Sequence, residues 1–184
     1  MRVISGYLRG KKLKTLEGNS VRPTTDKIKE SIFNVIQFEL YNKTFLDLFS
    51  GSGQMGIEAL SRGAKEVFFV DKSIKSIKVI KENLENACLK DQSNVILSDS
   101  INFLKKTNDK FDIVFLDPPY KIGLLQEALE IIPHVMNDNG IIICENPTDE
   151  SLKETLDNSF SVKKIYKYGK IKITIYRKDV NYEN

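Results

Sequence analysis

The sequence predicts a doubly wound α/β fold, and three observations carry that expectation. Short apolar runs alternate with helical patterns over most of the chain. The central runs, such as Val67-Phe68-Phe69-Val70 and Ile113-Val114-Phe115-Leu116, are apolar on both faces, as a parallel sheet covered by helices requires. Polar segments marked by glycine or proline stand where these runs end, which is where ligands bind in such sheets.

Each element can be justified in order. Residues 2–8 and 11–15 read as two short strands joined at Arg9-Gly10, a β-hairpin ahead of the main fold. Ile28, Ile32, Phe33, Val35, Ile36 and Leu40 fall at helical spacing, with Thr25 as cap and Asp26 in the first turn. Residues 44–49 form the first central strand, followed by a glycine turn and a helix to about Arg62. Residues 66–71 form the second; the helix after it carries Ile74, Ile77, Ile80, Leu84 and Ala87 on one face. Residues 95–98 give the third strand and 101–106 a short helix. Residues 111–117 are the fourth strand, and 124–136 are helical with a break near Pro133. Asn139-Gly140 turns into the fifth strand, 141–145. A last helix is expected over 151–157. Strands 160–168 and 170–177 about Gly169 then make an antiparallel C-terminal edge.

The bulk properties narrow the class. With 184 residues, the chain suits a single domain: a basic arm over 1–22, a catalytic core over 23–178 and a tail over 179–184. No apolar run approaches the roughly 20 residues of a membrane helix, and the N-terminus lacks the apolar segment of a signal peptide, so a cytoplasmic protein is expected. Cys88 and Cys144 read as buried free thiols, with neither a disulfide nor a metal site. The net charge is only +3, yet residues 1–30 carry a net +5, so the rest carries −2. A basic arm on a near-neutral body points to a polyanion such as nucleic acid.

Chemistry concentrates at two strand ends. After the first strand, Asp47-Leu48-Phe49-Ser50-Gly51-Ser52-Gly53 continues to Gly56, so that glycines 51, 53 and 56 fit G-x-G-x-x-G between a strand and a helix. Asp71, ending the second strand, lies 20 residues after Gly51, where a carboxylate can accept from both hydroxyls of a ribose. These features indicate an adenosine-type ligand and leave a dinucleotide and S-adenosylmethionine both open. Two points favour S-adenosylmethionine. The whole sheet fits in 184 residues, leaving little room for a second substrate domain, and Asp47 suits a cationic amino group where it would repel a pyrophosphate. Ser98-Asp99-Ser100 can offer polar groups to an adenine edge or cap a helix. The candidate cofactor residues are Asp47, Phe49, Ser50, Gly51, Ser52, Gly53, Asp71, Lys72, Asp99 and Ser100.

The fourth strand ends in Asp117-Pro118-Pro119-Tyr120, the most specific signal in the chain. The prolines stiffen the backbone into an extended turn. An exocyclic base amine is a poor nucleophile because its lone pair is delocalised into the ring. Asp117 and the Pro118 carbonyl supply acceptors for its two protons, positioning the nitrogen toward a sulfonium methyl. Tyr120 can stack on an extruded base. His134, the only histidine, has no acid or cysteine at ligand spacing and reads as structural or surface.

Further residues resemble a known family. Val3-Ile4-Ser5-Gly6, Leu8-Arg9-Gly10-Lys11, Arg22-Pro23-Thr24, Phe33-Asn34, the glycine turn and Glu58-Ala59-Leu60-Ser61-Arg62-Gly63-Ala64 look like the bacterial 16S ribosomal RNA guanine-N2 methyltransferase family, RsmD, from Arg2 to about Arg177. The resemblance implies a seven-stranded Rossmann-like methyltransferase sheet with an N-terminal β-hairpin. It implies as substrate one guanine of small-subunit ribosomal RNA, within an assembled or assembling small ribosomal subunit. Arg2, Arg9, Lys11, Lys12 and Arg22 become the candidate RNA-binding residues, and the chain is expected to act as a monomer without a metal. Two positions depart from the family pattern: Ser5 stands where glycine is usual and Asp71 where glutamate is common. The alternatives are an amino-methyltransferase on another base, such as adenine N6 in DNA or RNA, a non-catalytic RNA-binding assembly factor, and, weaker still, an NAD-dependent dehydrogenase.

Overall fold

The computed structural model describes residues 1–16, 25–119 and 123–178. Eight strands form one sheet: β1 (Thr44–Asp47), β2 (Glu66–Asp71), β3 (Ser93–Leu97), β4 (Phe111–Leu116), β5 (Met136–Pro147), β6 (Thr155–Leu156), β7 (Phe160–Tyr168) and β8 (Ile171–Lys178). Their order is β3-β2-β1-β4-β5-β8-β7-β6. The first five are parallel, whereas β8, β7 and β6 pair antiparallel at one edge. Helices α1 (Asp26–Val35), α2 (Gln54–Ser61) and α3 (Ile74–Ala87) pack on one face, and α4 (Ser100–Lys106) and α5 (Leu124–Ile131) on the other. The two hydrophobic cores therefore lie on opposite sides of the sheet. The buried alternation along β4 serves both: Ile113 and Phe115 belong to the first, Phe111, Val114 and Leu116 to the second.

The local signals act as expected in most places. Thr25 caps α1 by accepting from the Ile28 N–H at 3.4 Å. Pro133 ends α5, and the chain continues as a 3₁₀ turn over Ile132–Val135. The order in which strands are laid down reverses between β1 and its parallel neighbour β4, because the path runs outward through β2 and β3 before crossing back. That switch point opens a crevice at the carboxyl ends of β1 and β4.

Four expectations need correction. The sheet has eight strands rather than seven, because 151–157 is not a helix. Asp157 and Asn158 both adopt positive φ and close a tight hairpin, with the Ser159 N–H donating to the Leu156 carbonyl at 3.0 Å. The Val162 N–H and Tyr176 hydroxyl take the Glu154 and Lys153 carbonyls that a helix would need. The N-terminal hairpin is not two strands: it has a single antiparallel bridge, Arg2 to Lys12, around a turn over residues 5–10. The Val3, Gly10 and Leu13 amides pair across the hairpin, but four others are used elsewhere: the Ile4 and Ser5 N–H groups donate to Glu58, and those of Tyr7 and Leu8 to Ser61. Ile74 is exposed rather than on the buried face of α3. Cys88, in the left-handed conformation after α3, is exposed, whereas Cys144 is buried.

Candidate active site

The glycine turn after β1 is built by the backbone. The Gly53 N–H donates to the Ser50 carbonyl at 2.7 Å, and the Ser50 hydroxyl donates to the Asp47 and Val70 carbonyls. Gly51 and Gly53 have φ of +54° and +77°, a conformation that favours glycine. A Cβ on Gly51 would meet nothing within 4 Å, so open space lies before it, whereas one on Gly56 would strike the Phe69 ring at 2.3 Å. Gly56 is therefore there to seat α2 on β2, and Gly51 faces the crevice.

That crevice is a cleft of about 380 Å³. Phe49, Gly51, Asp71, Lys72, Asp99 and Ser100 line it, together with Asp117, Pro118 and Pro119 from the end of β4. The structure thus brings both sequence signals into one cavity. Asp71 is fixed from both sides: Oδ2 accepts from the Gly51 N–H at 2.9 Å and Oδ1 from the Ser73 N–H at 2.8 Å. Each carboxylate oxygen retains a further lone pair for a ligand hydroxyl. Asp99 caps α4 through Oδ1, accepting from the Ile101 and Asn102 N–H groups. The Ser100 hydroxyl donates to the Leu48 carbonyl at 2.9 Å and ties α4 to the turn.

Four candidates are buried and do not line the cleft: Asp47, Ser50, Ser52 and Gly53. Asp47 is buried, and its Oδ2 accepts from the Gly56 N–H at 3.0 Å. Burial pushes its carboxyl up to about 7; the Gly56 hydrogen bond opposes this and the Asp71 charge adds to it. Asp117 is raised well above the usual carboxylate range, first by burial and then by the negative charges of Glu145 and Asp47. Tyr120 and Arg22 lie outside the described residues.

Sequence reasoning missed several cleft residues, among them Glu145, Tyr168 and Lys170. Glu145 is a buried acid ending the otherwise apolar run Ile141–Cys144, and an acid in a central strand was the available signal. Tyr168 and Lys170 arrive by the β7–β8 turn, and the Tyr168 hydroxyl hydrogen-bonds Ser31 of α1. No local pattern marks them.

The donor set fits a cationic adenosine cofactor. The glycine turn leaves room for a ligand, Asp71 presents fixed acceptors, and Asp47, Asp117 and Glu145 gather acids in and around the cleft whose ionised forms a cation would favour. The buried Gln54 Oε1, at the head of α2, has no hydrogen-bond partner among the described residues. Among the described residues no group of three or more His, Cys, Asp or Glu could hold a metal, and no helix is long and apolar enough to cross a membrane. Arg2, Arg9, Lys11 and Lys12 are exposed on the arm, with Arg2 paired to Asp26 at 3.2 Å.

The sheet order, its antiparallel edge and the strand-end cleft define the Rossmann-like methyltransferase fold. The solved structure of the Escherichia coli chain yhhF matches with a TM-score of 0.88 at 29% identity, over 97% of this chain and 98% of that one. The model of the family described as conserved hypothetical protein 95 matches residues 1–177, and the chain belongs to that family. The Bacillus subtilis (strain 168) protein YlbH is 40% identical over 183 residues, covering 97% of this chain and 99% of its own. Ribosomal RNA small subunit methyltransferase D of Haemophilus influenzae is 37% identical over 157 residues, covering 83% of this chain and 81% of its own.

Proposed function

We propose that the protein transfers the methyl group of S-adenosylmethionine to the exocyclic N2 amine of a guanine in small-subunit ribosomal RNA. The observation that carries this reading is the placement of Asp117 and the Pro118 backbone in the same cleft as the Gly51 turn and Asp71. The names of the relatives that act on small-subunit ribosomal RNA support the substrate. When bound, S-adenosylmethionine supplies an electrophilic methyl group on a sulfonium.

The chain's own residues do the rest. Asp71 holds ribose hydroxyls, and Asp47 with its neighbouring acids stabilises the cofactor's positive charge. The Asp117 carboxylate and Pro118 carbonyl accept from the two amine protons and direct the nitrogen lone pair at the methyl. Held this way, the amine would lie in line with the methyl group that bound S-adenosylmethionine would supply, and once methylated it would release a proton on the Asp117 side. Burial and the charges of Glu145 and Asp47 raise the proton affinity of Asp117, which suits it to take that proton. Tyr120 stacks on the extruded base. Arg9, Lys11 and Lys12, with Arg2 and Arg22, hold phosphates. The protein works as a cytoplasmic monomer on an assembled or assembling small subunit.

Incubation with labelled S-adenosylmethionine and ribosomal RNA, small subunits or DNA, followed by digestion and nucleoside mass spectrometry, tests the proposal. N2-methylguanosine from the ribosomal substrates is expected. N6-methyladenine would replace guanine as the acceptor, and no modified nucleoside from any substrate would overturn the reading.

A further inference from the structure

We propose that the lysine ridge of α3 is a second RNA-binding surface, continuous with the N-terminal arm, that grips phosphates of the strand flanking the target base. The proposal rests on the reading that the substrate is RNA.

Lys75, Lys78 and Lys81 recur every third residue along α3, so successive side chains are neighbours on the helix surface. All three are exposed. The acids of this helix are taken up from outside the ridge: Glu82 pairs with Lys14 of the arm at 2.6 Å, and Glu85 with Lys90 at 2.7 Å. Glu82 also lies within electrostatic reach of Lys78, but both acids of the helix hold ion pairs with lysines outside it, so positive charge stays in excess along the ridge. Beside it runs an open groove of about 670 Å³ between α3 and β3, the strand at the sheet edge, whose wall carries Lys78, Lys81 and Lys90 against the two paired acids Glu82 and Glu85. Ile74, 73% exposed, stands at its head and offers apolar surface that a sugar or base can cover.

The ridge joins both established parts of the site. Asn83 lies on the same helix, with its side chain almost fully buried. Its Oδ1 accepts from the Lys14 N–H at 2.7 Å, and its Nδ2 donates to the Lys14 and Ser52 carbonyls, each at 3.1 Å. One amide thus fixes arm, ridge and glycine turn relative to one another. At the head of α3, Ser73 and Ser76 line the active cleft. A phosphate backbone lying along arm and ridge is delivered to the cleft mouth. A solvated lysine face with no partner would need neither this continuity nor the groove.

The test compares K75Q/K78Q/K81Q with K105Q/K106Q/K153Q, which removes as many charges from the other side of the sheet. Fluorescence anisotropy follows binding of a labelled ribosomal RNA fragment between about 50 and 200 mM salt. The ridge variant is expected to bind about tenfold more weakly or worse at low salt, with a salt slope shallower by about 2–3, while the control matches the unsubstituted protein. S-adenosylmethionine affinity should stay unchanged in both. A ridge variant with unaltered affinity and slope overturns the proposal. So does one that binds naked RNA normally yet fails on assembled subunits, which would give the surface to a ribosomal protein. If the unsubstituted protein neither binds nor methylates the RNA, the substrate reading falls and the ridge with it. Normal binding alongside an unaffected ridge variant removes the ridge alone.

Discussion

Two regions of this molecule bury acids and treat them in opposite ways. In the seam between arm and α2, Glu58 is fully enclosed and richly partnered. It accepts from Arg62 Nε at 2.8 Å and from the Ile4 and Ser5 N–H groups at 2.8 and 3.0 Å, with Lys29 Nζ at 3.7 Å. Lys29 is itself buried and donates to the Arg2 carbonyl at 2.7 Å. Burial lowers its proton affinity, against the opposing pull of Glu58 and Asp26. In the cleft the charges acting on Asp117 are those of Glu145 and Asp47, and both repel its ionised form. The seam is an internally neutralised joint that holds the arm to the core. The cleft stores unfavourable electrostatics that a cationic ligand relieves.

The largest test of this contrast is Glu58→Ala. It leaves Lys29 buried beside an empty space and removes the acceptor of two arm amides. A loss of about 3–5 kcal/mol in stability is expected, read as a lowered urea midpoint. An unchanged midpoint would mean that the seam carries no weight. Asp117→Ala acts on the other region. Its single-turnover methyl-transfer rate should drop by about 10²–10³-fold while S-adenosylmethionine still binds; full activity would remove Asp117 from the mechanism. Asn83→Ala, which spans the two regions, should cost about 1–3 kcal/mol by the same urea measurement.

The smallest effect is in pH. The Asp47 carboxyl is raised to about 7, so the folded protein prefers it protonated. Its contribution to stability is full below the ordinary carboxylate value and is lost as pH rises through about 7. A cationic ligand favours the ionised form. S-adenosylmethionine affinity should therefore rise from about pH 6 to about pH 8, by up to about tenfold. Asp47→Asn should flatten that rise and stabilise the free protein at the upper end. Calorimetry across the range decides, and a flat profile for the unsubstituted protein would detach Asp47 from cofactor charge.

Much of this was legible residue by residue. The glycine turn, Asp71 and Asp117 each follow an apolar run directly, so the strand that positions them and the chemistry they carry are adjacent in the chain. Glu145 was visible only as an acid in an apolar run, and its meeting with Asp117 depends on β5 lying beside β4. Tyr168 and Lys170 reach the cleft because the antiparallel edge turns back at the carboxyl ends of the parallel strands. The segment over 151–157 has helical spacing of Leu152 and Leu156, yet its carbonyls are claimed by Tyr176 and Val162, partners distant in sequence or outside the segment. The Asp157-Asn158 pair, with both residues at positive φ, is what turns the chain there into a hairpin.

Glu58-Ala59-Leu60-Ser61-Arg62-Gly63-Ala64 shows the division most directly. By itself the sequence determined that this run ends a helix and that residues 1–22 form a basic arm, because helix periodicity and charge are local properties. Only the tertiary structure decided what the run is for. Glu58 and Ser61 satisfy arm amides that an isolated hairpin would have paired across its own strands. Gly6 fits because a Cβ there would sit 1.8 Å from the Ser61 carbonyl oxygen. Hydrogen-bond partners and steric room across more than fifty residues of chain are set by packing, and no local pattern encodes them.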